Sequence, residues 1–372
     1  MKIVFAGDIM LGRFVRDKYE SQRYELVSQE VKDVMRHSDL VVANMESPIT
    51  DEVSPNTLAF AGSKQLLDEV KEVGVFSLSN NHINDFGDKG ISDTIENLQN
   101  HKFVTNGIFK ESYEPYTTEQ DGQKIAIVTC TDMMNYELGE DSPYQILRVD
   151  SPEVNETIRR YKEKGFFVIL FSHCGSLFCR FPNPQIRGLL YSAVDSGAGC
   201  VVTCHSHCLG GMDKYKGVPI FYSLGDFLMD GGSYRRRRSC LLSLTIEDNE
   251  LKEWNVIPTV TSKEQQVVIP ADKERKKMMH DYEEVSKKMQ EEHQSYENFY
   301  KYQYKKEMLN HSLSTLCFLY DTKGLLGFMK MLKVRYYAVY RMIHRMIFDR
   351  SKMRYDADGI DTKHLLKNDK IR

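Results

Sequence analysis

The feature that most constrains this chain is a repeated unit in which a short apolar run ends in a cluster of polar residues able to do chemistry. Residues 3–6 lead into Gly7-Asp8, residues 40–43 into Asn44-Met45-Glu46, and residues 75–78 into Asn80-Asn81-His82 and then Asp85. Residues 166–171 are followed by His173, and residues 200–203 by Cys204-His205-Ser206-His207. Apolar runs this short, bounded by turn residues, predict buried strands. Residues 124–129, 218–223 and 241–246 are further strand candidates. Between the runs, residues 63–73, 87–100, 151–164 and 183–196 have helical spacing, the second with Ile91, Ile95 and Leu98 on one face. The alternation predicts a layered α/β architecture with a mixed sheet or sheets. With 41% hydrophobic residues in 372, the chain can bury a substantial core, and disordered or fibrous classes are excluded.

In open α/β sheets, ligands bind in the crevice beyond the carboxyl ends of the strands. One crevice would therefore collect the carboxylates of Asp8 and Glu46, the Asn81 amide oxygen, and the imidazoles of His82, His173, His205 and His207. Oxygen and imidazole donors without ordered thiolate spacing suit Mn, Fe, Zn or Mg, one ion or two. Two ions about 3.5–4 Å apart would each take one ring of the His205/His207 pair, with Glu46 bridging them. On an extended segment the two rings of a His-x-His pair share a face. Each piece alone also has an ordinary reading, because His-x-His pairs are often structural and Asn or Asp at a strand end serves turns. The recurrence of such clusters after successive apolar runs favours the metal-site reading. Asp85 and Asp226 either orient ligand imidazoles or serve as turn residues.

Charge is balanced, 50 Lys and Arg against 53 Asp and Glu, so no global field favours nucleic acid and anion binding must be local. The run Arg235-Arg236-Arg237-Arg238 suits a polyanion, a polysaccharide phosphate or a phospholipid headgroup, or is a solvated basic hairpin. Arg13 and Lys89 adjoin the first and third clusters and face either an anion or solvent. The 8 Cys are scattered, and the spacing of Cys200, Cys204 and Cys208 is not that of a zinc ribbon, which predicts free thiols in a reducing compartment. Asp8 interrupts the opening run, and nowhere do about eighteen apolar residues run together, so neither a signal peptide nor a spanning helix is expected. The expected location is cytoplasmic.

Composition changes after Pro270. Residues 271–306, dense in Lys, Glu, Gln and Tyr, predict one or two long and mostly solvated helices. In residues 325–355 apolar and aromatic side chains interleave with basic ones. At about 100° per residue, Lys330, Lys333, Arg341, Arg345 and Lys352 share one face. This segment either packs onto the body, lies peripherally on the inner face of an anionic membrane, or binds a partner helix. The expected organisation is a domain over residues 1–262, a helical extension over 271–355 and a flexible tail over 356–372.

The stretches G-D-I-M-L-G-R from Gly7, N-M-E-S-P-I-T from Asn44, S-N-N-H-I-N-D-F-G-D-K-G-I-S-D-T from Ser79, S-H-C-G from Ser172, H-S-H from His205 and Y-S-L-G-D-F from Tyr222 occur in order. In these the chain resembles the CapA family, named for a poly-γ-glutamate capsule synthesis protein and similar in fold to calcineurin-like metallophosphoesterases. The resemblance covers roughly residues 1–260. It implies a four-layer α/β/β/α metallophosphoesterase-like sandwich, with the C-terminal helical extension added. It also implies a metal centre in which Asp8 binds one ion, Glu46 bridges, Asn81, His173 and His205 meet at one ion, and His207 sits at the other. His82 would stand beside the ligands or give a proton to a leaving group. Met10 departs from the pattern, since the related phosphoesterases have His at that place. Cys174, Leu177-Phe178, Thr203, Ser206 and Asp226 depart as well, which predicts an altered substrate pocket. The implied function is a metal-dependent hydrolase or transferase acting on an anionic capsule or cell-surface polymer, by phosphoester or γ-glutamyl amide chemistry. The alternative is a non-catalytic assembly factor in a polymer-export complex.

Overall fold

Two sheets carry the strands. A computed structural model describes residues 1–22, 25–53, 59–318 and 320–321, so the basic segment 325–355 and the tail 356–372 lie outside the described residues. The first sheet runs in the order Val267–Val268, Glu250–Thr261, Arg238–Glu247, Lys2–Ile9, Leu40–Met45, Val75–Ser77, Val104–Asn106, and Asp226–Leu228 also pairs with Lys2–Ile9. The second runs Met212–Tyr215, Val218–Phe221, Cys200–Cys204, Phe167–His173, Gln123–Thr131, Tyr116–Gln120. Lys2–Ile9, Leu40–Met45 and Val75–Ser77 are mutually parallel, as are Gln123–Thr131, Phe167–His173 and Cys200–Cys204.

The apolar runs are continuous rather than alternating because these strands are buried on both faces. Ile3 and Phe5 face the space between the sheets, where they meet Ile127, Ile169, Phe171 and Val202, while Val4 and Ala6 turn outward to a separate core. Phe5 and Phe171 meet edge to face, centroids 5.3 Å apart. Outside the first sheet that core includes Val31 and Met35 of the helix Gln29–Arg36, and Ile91 and Leu98 of Gly87–Asn100. Outside the second sheet lie Ile158, Leu190, Val285 and Met289. The result is a four-layer α/β/β/α sandwich with a C-terminal helical addition.

Most sequence-predicted elements form where expected. Residues 63–73 contain a 3-10 helix, Lys64–Val70, rather than an α-helix. The long strand Glu250–Thr261 was not foreseen, because much of it is exposed and its apolar residues do not form a run. The helix Asp272–Gln290 is mostly exposed, as expected, but Met278, Val285 and Met289, spaced by seven and then four residues, form a buried stripe amid the charges. Residues 296–318 are again helical and bury Tyr300 and Glu307 against the body. All the described cysteines are free, and all but Cys317 are buried.

Candidate metal centre

The polar clusters meet where the carboxyl ends of the two sheets face each other. Asp8 pairs in register with Asn44 on one side and Asp226 on the other. Gly7 makes this possible, since a Cβ there would lie 1.9 Å from the Gly225 carbonyl oxygen. Asp8 Oδ1 accepts from Asn44 Nδ2 at 2.7 Å and lies 3.3 Å from His173 Nδ1, and Oδ2 accepts from the His205 backbone N–H at 3.0 Å. The Asp8 carboxylate therefore ties the first sheet to the loop that leaves the second. Burial alone would raise its pKa, but His173 and His207 outweigh that and hold it below the usual carboxylate range.

His173 Nε2 lies 2.9 Å from Asn81 Oδ1 and 2.9 Å from His205 Nδ1. His207 Nδ1 lies 2.7 Å from Asp226 Oδ1, which leaves its Nε2 3.6 Å from Glu46 Oε1. His82 Nδ1 lies 2.7 Å from Asp85 Oδ2, its Nε2 is 4.0 Å from the same Glu46 oxygen, and its ring stacks on Phe60 at 3.8 Å. Asp8, Glu46, Asn81, His82, Asp85, His173, His205 and His207 are thus brought together. Two groups of donor atoms lie within 4.8 Å of one another, Asp8 with His173 and Cys204, and Asp8 with His207 and Asp226. Asp8 is shared between them.

The expectation for the His pair needs correction. His205 and His207 are not on an extended segment but in a turn, with φ of +96° and +54°, and their ring centroids are 6.0 Å apart and tilted by 47°. Asp8 pins the His205 N–H, and the Ser206 carbonyl accepts from Phe178 N–H at 2.8 Å, so tertiary contacts hold the turn. At the place where the resemblance implies an imidazole, the Met10 thioether is fully buried and accepts from the Gly12 N–H at 3.1 Å.

Whether these residues fit a cation can be tested on the unpaired atoms. Both Glu46 oxygens and His205 Nε2 are buried without a hydrogen-bond partner among the described residues. Burial, followed by the charges of Asp8 and Asp226, pushes the Glu46 pKa far up, with Arg236 pulling the other way. Burial and the His173 and His207 charges push the His205 pKa well down, and burial lowers that of His82 in spite of Asp85. A buried carboxylate whose oxygens have no hydrogen-bond partner, beside several imidazoles, is a donor set that a divalent ion satisfies. The residues fit.

The arginine run is not a single patch, because consecutive side chains of the turn diverge. Arg235 pairs with Glu307, Arg237 donates to the Ser262 carbonyl oxygen and lies over Phe318, and Arg238 pairs with Asp281 at 3.1 Å. Arg236 alone reaches the centre, donating to Asp226 Oδ2 at 3.2 Å. Arg13 stands at the rim, 3.2 Å from Asp230 and with its guanidinium 5.1 Å from the Phe60 ring centroid. Lys89 is exposed and pairs with Asp93. Sequence reasoning missed Asn44, Cys204, Phe60, Asn135 and Phe178 as parts of the site. Asn44 and Cys204 were visible within their clusters. Asn135, which accepts from Asn81 Nδ2 at 2.9 Å, carries no local signal.

The fold and the donor cluster together define an α/β/β/α sandwich with a carboxylate–imidazole crevice at the strand ends. The chain belongs to the bacterial capsule synthesis protein PGA_cap family, which matches residues 2–231. It is 29% identical over 266 residues to the PGA biosynthesis protein CapA of Bacillus subtilis, covering 68% of this chain and 70% of that one. It is 28% identical over 274 residues to the capsule biosynthesis protein CapA of Bacillus anthracis, covering 69% of this chain and 67% of that one. A hypothetical protein of Thermus thermophilus of known structure is similar at 15% identity and a TM-score of 0.44, covering 69% of this chain and 98% of that one. Among the described residues, no helix is long and apolar enough to cross a membrane.

Proposed function

We propose that the chain is a metal-dependent hydrolase or transferase acting on an anionic capsule or cell-surface polymer, of the poly-γ-glutamate type or containing phosphate. The observation that carries this reading is Glu46, fully buried between His82 and His207 with both oxygens lacking a hydrogen-bond partner among the described residues. Asp8, Glu46, Asn81, His173, His205 and His207 would hold one or two divalent ions. Such an ion supplies Lewis acidity and makes water a stronger acid.

The protein's own residues supply the rest. Asp226 and Asp85 orient the rings of His207 and His82. His82, stacked on Phe60 with Nδ1 held by Asp85, would hand a proton from Nε2 to a leaving group once protonated there. Arg236 offers positive charge to an anionic substrate and to the oxyanion that develops in either phosphoester or amide cleavage. One observation favours a second reading, a metal-binding assembly factor without turnover: Met10 occupies the place of an expected imidazole.

A screen of phosphoesters and γ-glutamyl peptides with added Mn, Zn, Fe or Mg, on wild type and His207→Ala, tests both. Turnover lost in His207→Ala supports the enzyme. Metal uptake without turnover supports the assembly factor. A chain that takes up no metal, and is indifferent to Asp8→Ala and His207→Ala, overturns both.

A further inference from the structure

The strand Gln123–Thr131 of the second sheet ends beside His173, and the loop after it crosses to the cluster that follows Val75–Ser77 in the first. The loop starts from a fixed point. The Asp132 N–H donates to the His173 carbonyl at 3.3 Å, and Asp132 Oδ2 accepts from the Gly175 N–H at 2.8 Å. Three residues on, the Asn135 N–H donates to the Asn81 carbonyl at 3.0 Å. Asn84 Nδ2 donates to the carbonyls of Tyr136 and Glu137, each at 3.0 Å. These bonds stitch the loop to residues 81–84 without using the Asn135 side chain.

That side chain has a separate task. Its Oδ1 accepts from Asn81 Nδ2 at 2.9 Å, and its Nδ2 lies 3.1 Å from Nδ1 and 3.3 Å from Nε2 of His82. Asp85 Oδ2, 2.7 Å from His82 Nδ1, takes the hydrogen there, so the neutral ring can only accept from the amide. The Asn135 amide is oriented as a result, nitrogen toward the ring and oxygen toward Asn81. With its own nitrogen engaged, Asn81 turns Oδ1 toward His173 Nε2, 2.9 Å away. The two ends of an amide have nearly the same shape, yet only the oxygen end ligates a cation. Asn81 is 6% exposed and His82 8%, whereas Asn135 stands exposed at the rim. A water in its place would donate or accept alike and select neither end.

We propose that Asn135 is a positioning residue that sets which end of the Asn81 amide faces the centre, taking its own orientation from the His82–Asp85 pair. The inference rests on the reading of the centre as a divalent-ion site with Asn81 among its ligands. It joins a metal ligand to the group placed to move a proton in one hydrogen-bonded chain, Asp85–His82–Asn135–Asn81.

Calorimetric titration of the full-length chain with Mn tests this. Asn135→Leu, close in size and unable to hydrogen-bond, is expected to weaken Mn binding about tenfold. Asn81→Asp offers an oxygen at either end, so orientation no longer matters. In that background Asn135→Leu is expected to change Mn affinity by less than about twofold. A loss as large in the Asn81→Asp background as in wild type overturns the inference, because a displaced loop would weaken both alike. So does an Asn135→Leu protein with wild-type Mn affinity. Mn uptake indifferent to Asn81→Ala leaves the centre standing and overturns the inference alone. A wild-type chain that takes up no Mn removes the reading beneath it, and the inference as well.

Discussion

Asp226 holds His207 and Arg236 at once, with Oδ1 2.7 Å from His207 Nδ1 and Oδ2 accepting from Arg236 at 3.2 Å. This one carboxylate turns the free nitrogen of His207 toward Glu46 and brings one guanidinium of a four-arginine run to the centre. It also pairs with Asp8 across the strand register, so the backbone fixes where its charge sits.

Asp226→Asn keeps the shape and removes the charge. Metal affinity is expected to fall roughly 10–100-fold, because a ligand imidazole loses its orienting carboxylate. Stability is expected to fall by about 3 kcal/mol, since Arg236 is left largely buried without its partner. Metal titration and denaturant unfolding check the two effects separately, and unchanged metal affinity would show that His207 is not a ligand.

Glu46 makes the metal-free protein sensitive to alkali. Its folded pKa is raised, so the unfolded chain gives up the proton first, and stability present below the ordinary glutamate value is lost as pH climbs toward the folded one. Melts of protein kept in chelator should therefore show Tm falling above about pH 4.5, and Glu46→Gln should flatten the fall. Divalent metal at a hundredfold excess over its Kd should return about 2.7 kcal/mol to wild type and far less to Glu46→Gln. A metal-free Tm that does not change with pH would show that the carboxylate carries no such penalty.

Two glycines should respond oppositely. Gly7→Ala drives a Cβ into the Gly225 carbonyl and separates the strands carrying Asp8 and Asp226, at an expected cost of about 3 kcal/mol together with weaker metal binding. Gly188 lies inside the helix Pro184–Asp195 with open space around it, so Gly188→Ala should stabilise by about 0.5–1 kcal/mol and leave metal binding alone. Urea unfolding of both variants gives the comparison.

Glu307 makes the attachment of the last described helix sensitive to acid. Burial alone would raise its pKa, but Arg180 and Arg235 outweigh it and leave the value lowered. The stability it contributes is complete above the ordinary value of 4.5 and is lost as pH falls through the lower folded value. Hydrogen exchange over residues 296–318 should accelerate in that window before the sheets open. Glu307→Ala, which strands two guanidiniums, should cost about 3–5 kcal/mol at neutral pH. Exchange in this helix no faster than in the core strands at low pH would refute the role of the pair.

The arginine run should divide by residue. Arg236→Ala is expected to raise KM for an anionic substrate about tenfold or more. Arg238→Ala, whose side chain is committed to Asp281 and Glu274, should leave KM alone. Equal effects of the two substitutions would mean that charge near the crevice, rather than the placement of Arg236, matters.

The sequence by itself determined the strands and what stands at their ends. A run such as Val4-Phe5-Ala6 has nowhere to go but between two apolar layers, and the polar residue after it must then lie where the strand emerges. The helix Gly87–Asn100 was legible to its limits, because Phe86-Gly87 opens it and Ile91 and Leu98 face inward. Only the tertiary structure decided which donors share a centre, that His205 and His207 sit in a left-handed turn, that the four arginines part company, and that Asn135 meets Asn81. Periodicity along a chain reports which face of an element is buried. It carries no information on which other element is packed against that face, and each of those outcomes depends on such a neighbour.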